Sequence, residues 1–91
     1  MVTPINLAAK FSCFSDHWNP RIVADLNDSH VLLAKVQGEF VWHRHAGEDE
    51  LFLVVHGRLT IDLRDGRIEL GPGEMAVIPK GVEHRPVAEE E

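Results

Sequence analysis

Short apolar stretches separated by turn residues constrain the fold of this sequence more than any other feature. Residues 59–64 alternate between apolar and polar side chains, which predicts a strand with one buried face. Asp65-Gly66 follows, and this dipeptide predicts a tight type I′ turn because both residues tolerate positive φ. We therefore expect a hairpin in which Arg64 pairs with Arg67.

The same organisation recurs along the chain. Residues 22–26 and 31–36 are predicted to form two strands joined by a turn at Asn27-Asp28. Another apolar stretch, residues 75–78, lies between Gly71-Pro72-Gly73 and a second proline-containing turn. Short strands with a turn about every ten residues are typical of an all-β barrel or sandwich.

In the N-terminal segment, the apolar residues recur with the period of a helix rather than that of a strand. Leu7, Phe11 and Phe14 recur at the spacing of one helical face, and Thr3 followed by Pro4 is typical of a helix start. These residues predict a short N-terminal helix before the strands.

The size and charge of the chain limit its partners. The sequence has 91 residues without a repeat or a composition break, so we expect a single domain over residues 1–91. A domain this small buries little apolar surface, and we expect a homodimer on that ground. With 15 acidic against 9 basic residues, the chain would repel a phosphate backbone, which argues against nucleic-acid binding.

The cysteine content and the N-terminus favour a cytoplasmic protein. Cys13 is the one cysteine of the sequence and cannot form an internal disulfide. Residues 1–4 lack the basic start and apolar run of a secretion signal. No stretch approaches the roughly 20 apolar residues that span a bilayer, so we expect no membrane segment.

A group of metal-ligating residue types begins at His43. His43 and His45 are two residues apart, so on a strand both imidazoles project from one face and can share an ion. Glu50 begins the next apolar stretch. Phe52 and Val54, two and four positions later, would share its face of a strand and are apolar. Glu48 or Asp49 could take its place, but neither begins a strand in this way.

Two longer patterns resemble the motifs of the cupin family. They are Gly38-x4-His43-x-His45-x4-Glu50-x6-Gly57 and, 15 residues later, Gly73-x5-Pro79-x-Gly81-x2-His84. The resemblance implies an antiparallel β-barrel of the cupin jelly-roll type, here with a short N-terminal helix. It also implies one metal ion held by three histidines and one glutamate, which are His43, His45, Glu50 and His84 in this sequence.

Three imidazoles and a carboxylate suit one divalent transition metal ion, Mn, Fe, Ni or Zn. Open positions on the ion would serve a metal-dependent lyase, isomerase or dioxygenase acting on a small polar molecule. A non-enzymatic metal- or small-ligand-binding module is the alternative. The chain has no tyrosine to act as a base; Glu48, Asp49 and Glu83 are acid–base candidates, and no catalytic residue is assigned.

The other histidines, Trp42 and the end of the chain lie outside this predicted metal site. His17, His30 and His56 match no ligand position, and Trp42 should point away from the metal, toward a subunit interface. Small cupins generally continue with a further strand after the second motif, whereas this sequence ends at Glu91. We therefore expect an open barrel edge, an edge completed by a neighbouring subunit, or a truncated chain.

Overall fold

A computed structural model describes residues 2–91 and shows a chain of short strands with one short helix. In chain order, the elements are α1 (Leu7–Phe11), β1 (Arg21–Leu26), β2 (Ser29–Leu33), β3 (Gly38–Glu39), β4 (Glu50–Leu53), β5 (Leu59–Leu63), β6 (Gly66–Leu70), β7 (Met75–Ile78) and β8 (His84–Ala88). The backbone divides into two compact units, one ending at Val36 and the other spanning Gln37–Glu91. Within residues 2–91, no helix is long and apolar enough to cross a membrane.

The helix of the first unit begins later than predicted. Asn6 is its N-terminal capping residue, and the Asn6 side chain accepts a hydrogen bond from the backbone nitrogen of Ala9 at 3.0 Å. An amide oxygen in this position satisfies a helical N–H that has no partner within the helix. The predicted start at Thr3 and Pro4 is therefore wrong, although the helix itself is present.

The rest of the first unit contains the hairpin of β1 and β2. The two strands are antiparallel, and Leu26 lies opposite Ser29. Between them, Asn27 adopts a φ of 54°, a left-handed conformation that asparagine tolerates better than most residues. The predicted turn at Asn27-Asp28 is confirmed.

The second unit contains a four-stranded antiparallel sheet in the order β3-β8-β5-β6. In the β5–β6 hairpin, Leu63 lies opposite Gly66, so the predicted pairing of Arg64 with Arg67 is wrong by two residues. Arg64 and Asp65 form the turn, and neither has positive φ, so the turn is not type I′. Because the shift is an even number, each side chain keeps its predicted face.

Strand β8 places its alternate residues in the core of the second unit. His84 and Pro86 are buried and lie opposite Leu63 and Ile61 of β5. Ile61 is 0% exposed and His84 is 1% exposed. A separate two-stranded antiparallel sheet, β4 with β7, also contributes to this core through buried Ile78.

Candidate metal centre

The two motif segments run antiparallel to each other in the second unit. The Phe40 nitrogen donates a backbone hydrogen bond of 3.0 Å to the Pro86 oxygen, so a uniform register would place His43 opposite Glu83. Instead, His43 and His84 exchange two backbone hydrogen bonds, of 3.0 and 2.9 Å. The first segment therefore contains one extra residue, a β-bulge, and the bulge sets the two histidines opposite one another.

Four side chains from these segments converge on one point. One ligand atom from each of His43, His45, Glu50 and His84 lies within 4.8 Å of the other three. Glu50 Oε2 is 2.7 Å from His45 Nε2, and Glu50 Oε1 is 3.3 Å from His84 Nε2. Among the described residues 2–91, no other group of three or more His, Cys, Asp or Glu side chains is arranged to hold a metal ion.

Backbone carbonyls orient two of the imidazoles. His43 Nδ1 lies 2.9 Å from the Val41 carbonyl oxygen, and His84 Nδ1 lies 3.0 Å from that of Val82. A carbonyl oxygen only accepts, so in each ring Nδ1 carries the hydrogen and donates it. In the neutral ring, Nε2 then keeps its lone pair, which is the form of histidine that ligates a metal.

The nitrogen of His45 tests whether the cluster suits an ion. His45 Nε2 is buried, and it is the one buried side-chain nitrogen or oxygen of residues 2–91 without a hydrogen-bond partner. Although Glu50 Oε2 is 2.7 Å away, the two atoms are not aligned for a hydrogen bond. Ligand atoms about 2.1 Å from a shared ion lie roughly 3 to 3.5 Å from one another. The two distances from the Glu50 oxygens to histidine nitrogens, 2.7 and 3.3 Å, are near this range. The cluster fits a bound cation.

Burial divides the centre into a closed and an open side. The His84 side chain is 1% exposed, whereas those of His45 and Glu50 are 38% and 31% exposed. The Phe52 ring is roughly perpendicular to that of His84 at a centroid distance of 5.9 Å, and the Phe40 ring to that of His43 at 5.3 Å. The closed side is therefore at His84 beside Phe52, and the open side is at the partly exposed His45 and Glu50.

The alternative acidic residues are used elsewhere. Asp49 Oδ1 accepts a hydrogen bond of 2.9 Å from the Lys80 backbone nitrogen. Glu83 forms an ion pair of 3.2 Å with Arg64. Neither carboxylate, nor that of Glu48, belongs to the cluster.

Sequence reasoning missed the groups that contact the rings of His43 and His84. Phe40 could have been noticed as an aromatic residue close to His43 in the first motif. The carbonyls of Val41 and Val82 leave no trace in the sequence, because every residue except the last has such a group. His17, His30 and His56 lie outside the cluster.

A protein-family model matches most of this chain. The family model Cupin_2, described as "Cupin domain", matches residues 29–91. The chain therefore belongs to the cupin family. The predicted resemblance is confirmed, and so is the all-β cupin fold class with a short N-terminal helix.

Two solved structures are similar over nearly the whole chain. One is the crystal structure, at 2.05 Å resolution, of a cupin-2 domain containing protein from Shewanella frigidimarina NCIMB 400. It superposes with a TM-score of 0.93 and 57% identity, covering 94% of this chain and 84% of that one. The other, protein NMB1881 from Neisseria meningitidis, has a TM-score of 0.86 and 34% identity, covering 96% and 89%.

Two curated proteins are similar over part of their length. The uncharacterised protein YdbB of Bacillus subtilis (strain 168) is 42% identical over 64 residues, which cover 69% of this chain and 57% of YdbB. A protein named acireductone dioxygenase, from Rhodopseudomonas palustris (strain ATCC BAA-98 / CGA009), is 34% identical over 64 residues. That match covers 66% of this chain and 36% of the dioxygenase, so the chain spans only part of either relative.

Proposed function

We propose that this cupin binds one divalent transition metal ion, Mn, Fe, Ni or Zn, through His43, His45, Glu50 and His84. The observation that carries the proposal is the convergence of four ligand atoms within 4.8 Å around a buried His45 nitrogen that lacks a hydrogen-bond partner. Three imidazoles and a carboxylate are a donor set typical of these ions. When bound, such an ion supplies Lewis acidity and, if it is redox-active, electron transfer to dioxygen.

We further propose that the protein is a metal-dependent enzyme acting on a small polar molecule. The Val41 and Val82 carbonyls hold the ligand rings in place, so the ligands are preorganised before substrate binds. His84 is buried beside Phe52, whereas the exposed side at His45 and Glu50 would admit a polar molecule from solvent.

Among the reactions considered, a dioxygenase is better supported than a lyase or an isomerase. Lyases and isomerases transfer protons and need a general acid or base beside the substrate. Of the three acid–base candidates, Asp49 and Glu83 are bound to Lys80 and Arg64, and Glu48 lies outside the cluster. The chain contains no tyrosine. The relative named acireductone dioxygenase favours the same reaction class.

The second candidate function is a non-enzymatic module that binds a metal or a small ligand. The engagement of Asp49 and Glu83 with other groups favours it as well, because a binding module needs no acid or base. In this case the ion would mainly stabilise the fold. Turnover of small polar substrates under air supports the enzyme; metal-dependent melting with no turnover of any substrate supports the module.

Elemental analysis of protein purified without chelator tests the metal centre directly. We expect about one ion per chain in the parent and none in the His43→Ala, His45→Ala double variant. His56→Ala is the matched control, since His56 is a histidine outside the cluster, and it should retain the ion. A parent without metal, or a double variant that keeps it, would contradict the assignment.

The pH dependence of metal content provides an independent check. Imidazole must be neutral to ligate, so protons compete with the ion, and the metal content should fall between about pH 7 and about pH 5. Unchanged occupancy at about pH 5 would exclude histidine ligands.

We also propose that the protein is a single cupin domain over residues 1–91 and a homodimer in the cytoplasm. The small size of the chain favours association, because little apolar surface is buried within one copy. Cys13 is an exposed free thiol, which a reducing compartment would preserve.

A further inference from the structure

One face of the β4–β7 sheet is apolar and uncovered. Leu51 lies opposite Val77, and Leu53 lies opposite Met75. These four residues are 53 to 64% exposed, and Val55, which follows β4, is 48% exposed. We call these five residues the β4–β7 outer face; it contains no charged or polar side chain.

The sequence of these two strands indicates burial on both faces. Residues 51–55 and 75–78 are continuous apolar runs without the alternation of a half-exposed strand. Continuous runs are typical of strands that are covered on both sides. In the structure, only the face that carries Phe52, Val54 and Ile78 is covered. A two-stranded sheet with one uncovered apolar face is marginal in water, so a further layer should cover it.

We propose that the β4–β7 outer face docks against the same face of a second copy of this chain. Because the face carries no charge, two copies of an acidic protein can meet there without placing like charges together. A two-fold axis also lets each aliphatic side chain contact the same set of side chains on the partner.

The area of the face suits a second copy of the chain. The five half-exposed side chains present roughly 400 Å² of apolar surface, the size of patches that are often functional. Two copies would bury about 800 Å² through them, and the rim would supply the rest of the roughly 1,000 Å² that a specific interface needs.

Sedimentation velocity of the full chain over a range of concentrations tests this surface, which rests on the proposed homodimer. We expect a dimer for the parent and an increase of at least about 100-fold in its dissociation constant for the Leu53→Glu, Val77→Glu double variant. Leu26→Glu is the matched control, because Leu26 is 66% exposed but lies on the β1–β2 hairpin, and it should remain dimeric.

The outcomes separate the surface from the homodimer and from the metal centre. If the double variant stays dimeric, this surface is wrong while the homodimer stands. If the parent is monomeric at about 100 μM, both are wrong. The metal content should be equal in the parent and the two variants, so loss of the dimer with retained metal separates association from metal binding.

Cysteine cross-linking tests the surface without introducing charge. Because Cys13 is the one cysteine of the sequence, Cys13→Ser provides a background for Leu51→Cys, Val77→Cys and the control Leu26→Cys. Under mild oxidation we expect covalent dimers from at least one of the two sheet positions and none from the control. Monomers from both sheet positions, with the protein still folded, would overturn the proposal.

Discussion

The outer faces of the two sheets in the second unit differ in chemistry: one carries charged side chains and the other apolar side chains. On the four-stranded sheet, Asp62 is only 7% exposed although it is charged. Its Oδ2 accepts hydrogen bonds from Arg85 at 2.8 and 3.2 Å, and its Oδ1 lies 3.3 Å from Arg67. Beside this group, the Arg64 guanidinium lies 3.8 Å from the ring centroid of Trp42. The β4–β7 outer face has aliphatic side chains instead.

The contrast shows which of the two outer faces has its interaction partners within one chain. A buried carboxylate is costly unless it is paired, and two arginines of the same chain provide the partners of Asp62. Hydrogen bonding to Asp62 also raises the pKa of the Arg85 guanidinium above its ordinary value, which by itself already keeps an arginine charged at physiological pH. Within residues 2–91 the side chains of the apolar face remain 48 to 64% exposed, which is the basis of the association proposed for it.

The largest effect is expected in the core beneath the charged face. Ile61 is fully buried in β5, so Ile61→Ala should lower the free energy of unfolding by about 3 kcal/mol, through lost burial and a residual cavity. Urea denaturation of the metal-free protein measures this. Ile61→Val, which removes a single methylene, should cost about 1 kcal/mol, and equal losses for both variants would argue against tight packing at this position.

A smaller loss is expected for the charged network itself. Asp62→Asn removes the charge that Arg85 and Arg67 share, and we expect a loss of about 2 kcal/mol by urea denaturation. Arg67→Met is the control: the Arg67 side chain is 67% exposed, so its ion pair should contribute less than about 0.5 kcal/mol. An Asp62→Asn variant as stable as the parent would show that the charged network does not contribute to the free energy of unfolding.

The stacking on Trp42 should contribute less again. Trp42→Leu removes the ring that Arg64 approaches at 3.8 Å and Arg85 at 5.3 Å, with an expected loss of about 1 kcal/mol. The matched change Arg64→Met removes one cation and should cost about half as much. Thermal unfolding of both variants at low and high salt distinguishes the cation–π contribution, because lost packing alone is insensitive to salt.

The smallest effect is expected on the apolar face when the protein is dilute. Met75 is 64% exposed, so Met75→Thr should change the unfolding free energy of the monomer by less than about 0.5 kcal/mol. At concentrations where the parent associates, the same variant should be less stable than the parent, because binding of a second copy stabilises the folded state. Equal stabilities of the variant and the parent at every concentration would contradict the proposal that the apolar face, unlike the charged face, mediates association.

Local structure was predicted correctly where one residue favours a single conformation, and incorrectly where neighbouring residues suit several alternatives equally well. The β1–β2 turn was found because Asn27 tolerates its left-handed backbone. The register of the β5–β6 hairpin was not, because Arg64-Asp65 and Asp65-Gly66 both make plausible two-residue turns, and cross-strand packing decides between them. The helix start was missed because Thr3, Pro4 and Asn6 all suit the first turn.

By itself, the sequence determined the type of protein and the members of its cluster. Period-two patterning predicted strands, and the two motifs identified the cupin family together with His43, His45, Glu50 and His84, because these features depend on residue type and spacing. The tertiary structure decided how the cluster is assembled. A one-residue bulge pairs His43 with His84, and two backbone carbonyls orient the rings; both depend on backbone hydrogen bonds between distant segments, which any residue can make.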